Sequence, residues 1–303
     1  MLAKDKQRAS VIVHRVEPLE EGEKLKIFLR DNYGISTRLL NKIKKGRQIM
    51  INGRYAKYHH ILKEGEEITI DMKENPNDYE AIPMDLDIVY EDLDLMIINK
   101  PPGIVVHPTK GTRGPTLING IVGKFIDQDL SMKVRFVNRL DMDTSGLLIV
   151  AKNPFAHFDM MKQMKEGDVE KKYLTWVHGN VKNDHGVIDQ PIYNPENSQG
   201  RRIIHEKGQI SKTGYMVLER LKERTLMEVR LFTGRTHQIR VHLASIGHPI
   251  IGDSLYGEGT DGFPRQALHA YSLEFYQPRF RDAILIEGEM PEDMKRLSLM
   301  ENH

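Results

Sequence analysis

The apolar residues of this chain fall in short runs. The longest clean ones, such as Leu147 to Ala151, have the length of a β-strand, and none approaches the ~18 residues that span a bilayer. The N-terminal Lys4, Lys6 and Arg8 are not followed by the apolar core of a signal peptide. A membrane protein is thereby disfavoured, and many short strands are expected. Strand candidates include Gly146 to Ala151, Lys172 to His178 and Thr225 to Phe232. They do not alternate strictly with helical segments, so an α+β fold with a mixed, mainly antiparallel sheet is expected rather than a doubly wound one. At 303 residues and 39% hydrophobic content the chain can bury a sizeable core, shared between about two domains. It has no cysteine, which removes disulfides, thiol nucleophiles and Cys-based zinc sites and fits a cytoplasmic protein.

Charge is unevenly placed. The net charge is only +1, yet Lys24 to Lys63 holds 11 Lys and Arg against one acid, Asp31. A local excess of +10 suits a nucleic-acid contact; a solvated basic face would look the same. Within this segment Leu25, Phe28 and Leu29 mark a helical face that Asn32-Tyr33-Gly34 should stop. Ser36-Thr37 offers the cap of a second helix with Leu39, Leu40 and Ile43 inside and Arg38, Lys42, Lys44 and Lys45 outside, ended by Gly46. Arg47 adds to that basic face. Ile49 and Ile51 lead to Asn52-Gly53, a hairpin signal, and Glu67 to Ile70 makes a further strand. "LLNKIKKGRQIMING" resembles the small RNA-binding domain of ribosomal protein S-four, over roughly residues 20 to 72. The expected division is a small α/β RNA-binding domain at 15–74, an acidic linker at 75–90 and a catalytic domain at 91–290. From Asn75 to Leu95 there are seven acids and no Lys or Arg, so the linker should avoid phosphates and leave the basic unit mobile. Its end should enter a strand at Ile88 to Tyr90 and return through Leu95 to Asn99.

The chain has no G-x-x-x-x-G-K-[ST] loop, no G-x-G-x-x-G after a strand and no G-x-S-x-G elbow. His59-His60 and His237/His242 do not converge on one helix face, which disfavours a metal. Two segments stand out. Arg139-Leu140-Asp141-Met142-Asp143-Thr144-Ser145-Gly146 places Asp141 at the mouth of an apolar strand, although a plain capped turn gives the same pattern. Gly234 to Arg240 follows a strand and opens a helix, expected from Thr236 to Ser245 with Thr236 as its cap. Arginines there could hold a phosphate or a carboxylate.

Together "RLDMDTSGLLIVAKN" and "TGRTHQIRVHLASIGHPIIGDSLYG" resemble the signature motifs of the RluA-type pseudouridine synthases. "YEDLDLMIINKPPGIVVHP", "EKKYLTWVHG" and "ALHAYSLEF" resemble further blocks, in the family's order, over roughly residues 85 to 276. The sequence differs from common members at Asn138, where they carry His, and at Met142, where they carry a basic residue. The resemblance implies the pseudouridine synthase fold and isomerisation of uridine to pseudouridine, first of all in large-subunit ribosomal RNA, with transfer RNA also open. It implies Asp141 as the catalytic carboxylate, Arg240 as its partner, and Tyr173 as the ring that stacks on the base. Leu268 would pack near that ring, and Arg139 would enter the space left by the flipped nucleotide. No metal, nucleotide or organic cofactor is implied, and a monomer is expected. The alternative is a non-catalytic RNA-binding or ribosome-assembly protein on the same fold.

Overall fold

The computed structural model describes residues 10–35, 37–74, 78–108, 111–130, 132–196, 198, 200–257 and 262–299. The N-terminal unit runs β1 (Val11–Arg15), α1 (Leu25–Tyr33), α2 (Thr37–Lys45), β2 (Ile49–Ile51), β3 (Arg54–Tyr55) and β4 (Glu67–Asp71). Its sheet is antiparallel in the order β1-β4-β2-β3. β1 starts four residues ahead of residue 15, where the unit is expected to begin; Ile12 is buried and pairs with Ile70 of β4. α1 buries Leu25, Phe28 and Leu29 and ends at Gly34, which is left-handed (φ 59°). Gly34 is required twice over, because a Cβ there would fall inside the Phe158 ring. Asn52 and Gly53 both take positive φ, as the Asn-Gly hairpin demands. α2 ends at Lys45, so Gly46 follows its last residue as expected, and Arg47, one residue on, takes the left-handed conformation. Ser36 lies outside the described residues, and α2 begins at Thr37.

The larger body follows as β5 (Ile88–Glu91), β6 (Leu95–Lys100), α3 (Leu117–Asp127), β7 (Arg135–Phe136), β8 (Ser145–Ala151), α4 (Pro154–Glu166), β9 (Glu170–His178), β10 (His185–Asp189), β11 (Ile192–Tyr193) and β12 (Ile203–Ile204). It continues with β13 (Lys212–Arg220), β14 (Arg224–Leu231), α5 (Gln238–Ser245), β15 (Leu268–Tyr276), β16 (Ala283–Glu287) and α6 (Glu292–Leu299). The main sheet has the order β10-β13-β14-β9-β15-β8-β6-β5, with β16 added to β15 and β7 to β8. β15 and β8 pair in parallel; the other pairs of this sheet are antiparallel. All seven residues of β8 are buried, because both faces are covered. Leu148 and Val150 pack in a core with Leu117, Ile121 and Phe125 of α3. Leu147 and Ile149 face the opposite way, onto Ala156 and Met160 of α4.

The acidic segment is not a free tether. Residues 80–87 run along α3 without regular secondary structure, with Ile82, Met84 and Leu86 half-buried and Pro83, Asp85 and Asp87 exposed. The Ile82 N–H donates to the Asn119 carbonyl at 3.2 Å, and Asn119 Nδ2 donates to the Glu80 carbonyl at 2.9 Å. The N-terminal unit is docked as well. Phe155, from α4 of the larger body, completes the small unit's core and meets the Tyr33 ring at 5.2 Å. Arg279 bridges the Val11 carbonyl (2.8 Å) and the buried carboxylate of Asp94 (2.8 and 3.0 Å). The linker itself is held to α3 by Ile82 and Met84, apolar side chains between its acids that its net charge alone concealed. Among the described residues no helix is long and apolar enough to cross a membrane.

Candidate active site

Asp141 sits in the turn between β7 and β8, where the Thr144 N–H returns to the Asp141 carbonyl at 3.2 Å. Each residue of the following Thr-Ser-Gly has a structural task. Thr144 Oγ1 accepts from Gln266 Nε2 at 3.1 Å. Ser145 Oγ bonds His269 Nδ1 at 2.9 Å. Burial, with the nearby Arg265 charge, pushes His269 down to about 4, so this imidazole stays neutral. Gly146 has φ 114°, and a Cβ would collide with the Ala270 backbone where β8 and β15 run in parallel.

Arg240, on α5, joins two carboxylates. Its Nη1 donates to Asp141 Oδ2 at 3.1 Å, while Nε and Nη2 donate to Asp253 at 2.7 and 2.8 Å. Asp253 is fully buried and also accepts the N–H groups of Leu255 and Tyr256 at 3.0 and 3.1 Å. Burial would raise its pKa, but the Arg240 contact and these N–H donors outweigh that and hold it below the ordinary range. Burial likewise opposes the Arg240 charge; Asp253 first and then Asp141 reverse this and hold Arg240 above its usual value. The three groups together carry one net negative charge when ionised. The Asp141 side chain is the solvent-facing member, 28% exposed against 8% for Arg240.

Tyr173, on β9, is buried opposite Val229 and Ala270. Burial raises its phenol pKa and the Asp141 charge adds to the rise, so the hydroxyl keeps its proton near neutrality. Leu268 is buried two residues before Ala270, in the same apolar cluster as Tyr173. Arg139 is exposed at the start of the loop. Asp141, Tyr173, Arg240 and Leu268 therefore come together from four elements of chain that the sequence holds far apart. Arg38, Lys42, Lys44, Lys45 and Arg47 do not join them: they lie exposed on the N-terminal unit. Lys44 Nζ stands 4.4 Å over the Tyr58 ring and Arg47 5.9 Å from that of Tyr55, a basic surface interleaved with aromatic rings.

Sequence reasoning missed several neighbours. Asp253 falls in the segment TGRTHQIRVHLASIGHPIIGDSLYG without a sequence signal of its own. His237 is a further neighbour: its Nε2 lies 3.8 Å from Asp141 Oδ2 and its Nδ1 3.0 Å from the Tyr256 hydroxyl. Burial pushes its pKa down despite the Asp141 charge. His242 instead bonds Thr213 Oγ1 and the Gln190 carbonyl. Lys100 is fully buried and donates to the carbonyls of Pro101, Ile104 and Met142 at 2.8, 3.1 and 2.8 Å, gripping the turn that carries Asp141. A lysine closing an apolar strand before Pro-Pro-Gly was the available signal. Asn138 accepts the Ile149 N–H at 2.7 Å and so ties the same turn to β8.

The expected helix cap at Thr236 is corrected. α5 begins at Gln238, after His237 in a left-handed conformation. The Gln238 side chain builds the junction: its Oε1 accepts from the Arg235 N–H and Thr233 hydroxyl, and its Nε2 donates to the Lys212 carbonyl.

A family model for RNA pseudouridylate synthase matches residues 94–245, which include the Asp141 turn, Tyr173 and Arg240. The chain is 40% identical over 287 residues to the "uncharacterized RNA pseudouridine synthase YlyB" of Bacillus subtilis, covering 92% of this chain and 94% of that one. It is 41% identical over 246 residues to "ribosomal large subunit pseudouridine synthase D" of Nitrosomonas europaea, covering 77% and 71%. Among solved structures, human RNA pseudouridylate synthase domain containing 1 superposes with a TM-score of 0.58 at 28% identity, over 68% of this chain and 83% of that one. Fold, matched segment and near full-length relatives agree: this chain belongs to the RluA-type RNA pseudouridylate synthases, a family of isomerases.

Proposed function

We propose that this synthase converts uridine to pseudouridine in large-subunit ribosomal RNA, acting as a monomer, with Asp141 as its catalytic carboxylate. The RNA class rests on the names of the relatives, several of which are large-subunit synthases. The catalytic reading is carried by one observation: Arg240 contacts Asp141 at 3.1 Å while Asp253 already balances the Arg240 charge. That leaves the Asp141 carboxylate accessible, placed to attack the sugar or base or to stabilise a sugar cation. In the reaction the N1–C1′ bond breaks, the base turns, and a C5–C1′ bond forms. The C5 proton leaves and N1 takes one up, so the conversion is balanced without a cofactor. Tyr173 supplies a flat ring for the uracil, Leu268 backs it, and Arg139 fills the gap left by the extruded nucleotide. The unit expected at 15–74, extended to include β1, holds the RNA through Arg38, Lys42, Lys44, Lys45 and Arg47. The strap at 75–90 joins it to the catalytic domain at 91–290, to which α6 is appended.

The test uses large-subunit RNA labelled with tritium at uridine C5. The expected result is tritium release without free uracil, lost in Asp141→Asn to below roughly one percent of the parent rate while RNA binding persists. Free uracil would indicate a glycosidase, and no release from the parent a binding protein. Turnover retained by Asp141→Asn overturns the assignment.

A further inference from the structure

Two buried cations hold successive carbonyls of the turn that follows Asp141. Lys100 holds that of Met142; Arg265 Nη1 holds that of Asp143 at 3.3 Å. Arg265 also donates to the carbonyls of Gln266 and Leu268 at 3.0 and 3.3 Å, and so grips the start of β15 beside Tyr173. Its Nε and Nη2 are taken by Asp293 of α6 at 2.7 and 3.0 Å. Gln266, the next residue, bonds the Thr144 hydroxyl. One guanidinium thus links α6, the apolar residue near the Tyr173 ring and the Asp141 turn.

We propose that α6, which lies beyond the segment matched to the family, is a positioning element for the catalytic turn, acting through Asp293 and Arg265. The inference rests on Asp141 being the catalytic carboxylate. Asp293 fixes the plane of the Arg265 fork, and the fork fixes the Asp143 carbonyl two residues from the reacting group. Displacements on the order of 1 Å can cost about 100-fold in rate. α6 has docking contacts besides Asp293, and an Asn there keeps an oxygen to accept the Met294 N–H that Asp293 Oδ1 accepts at 2.8 Å. Met294 and Leu297 are buried, Trp176 Nε1 donates to the Met294 carbonyl at 3.1 Å, and Arg224 Nη1 donates to that of Leu297 at 3.0 Å. Asp293→Asn therefore tests orientation with the helix in place.

The experiment compares the parent with Asp293→Asn, Asp293→Glu, Glu292→Gln and Asp141→Asn in single-turnover tritium release, with RNA affinity measured separately. Glu292 is an exposed neighbour on α6 that bonds Lys295. Asp293→Asn should lower the rate constant about 10- to 100-fold, with affinity within about twofold. Asp293→Glu should recover most of the loss, and Glu292→Gln should match the parent. A rate constant unchanged in Asp293→Asn overturns the inference, as does a loss seen only in the fraction of enzyme that reacts. An inactive Asp141→Asn beside a fully active Asp293→Asn overturns the α6 role alone. Activity in Asp141→Asn overturns the catalytic reading and this inference with it.

Discussion

At the scale of single residues the site is a matter of which charges are cancelled and which are left. Asp253 and Arg240 are buried partners with matched forks, and a bidentate Arg–carboxylate pair is directional where a lysine would be a point charge. That geometry spares Nη1 for Asp141. Lys100 shows the opposite economy: a buried cation with carbonyls rather than a carboxylate around it. Burial lowers its pKa from 10.5 to about 8, the Arg265 charge adding to the fall and Asp143 and Asp141 opposing it. The sign follows from proton counts. Between pH 8 and 10.5 the unfolded chain holds a proton that the folded chain has lost. The Lys100 contribution to stability therefore rises with pH across that window and is lowest, and flat, below it. Relative to Lys100→Met, the parent should gain up to roughly 3 kcal/mol over this range, at about 1.4 kcal/mol per pKa unit. Urea unfolding of both proteins at pH 7.5 and pH 10 measures the difference; a gap that does not change with pH contradicts the buried-lysine account.

At the scale of elements, α2 separates its tasks by face. Leu40 and Ile43 are buried and hold the helix to the small sheet, while Lys42, Lys44 and Lys45 are exposed. Replacing these three lysines by Gln should leave the helix in place and weaken RNA binding. Each lost phosphate contact should make the slope of log affinity against log salt shallower by about 0.7 to 0.9, or about 2 to 3 for the triple variant. An unchanged slope means that this face does not touch RNA. The element boundaries that local chemistry controls were legible: Gly34 ends α1, and Asn52-Gly53 turns β2 into β3. The start of α5 was not, because a side chain, Gln238, rather than a capping residue, satisfies the backbone there.

At the scale of the whole molecule the two bodies share a core. Phe155 belongs in sequence to the catalytic body and in space to the N-terminal unit. Phe155→Ala should destabilise the docked unit by about 3–5 kcal/mol, the cost of removing a buried phenylalanine ring. Hydrogen exchange of the α1 amides reads this directly: protection should fall in the variant. Protection that stays at the parent level means that the unit folds without its neighbour.

Periodicity and turn chemistry act over a few residues. From them the strands β8, β9 and β14, the helix pair of the N-terminal unit and the mainly antiparallel α+β class are legible in the sequence. Asp141, Tyr173 and Arg240 are proposed as site residues through long motifs, not through spacing, since a turn carboxylate and a helix arginine are common features taken singly. The partnership of Arg240 with Asp253, the grip of Lys100 and Arg265 on the Asp141 turn, and the docking through Phe155 were decided by the tertiary structure alone. These contacts join residues distant in the chain, and their strength comes from burial. Only the closed fold removes the water that would otherwise compete for each of them.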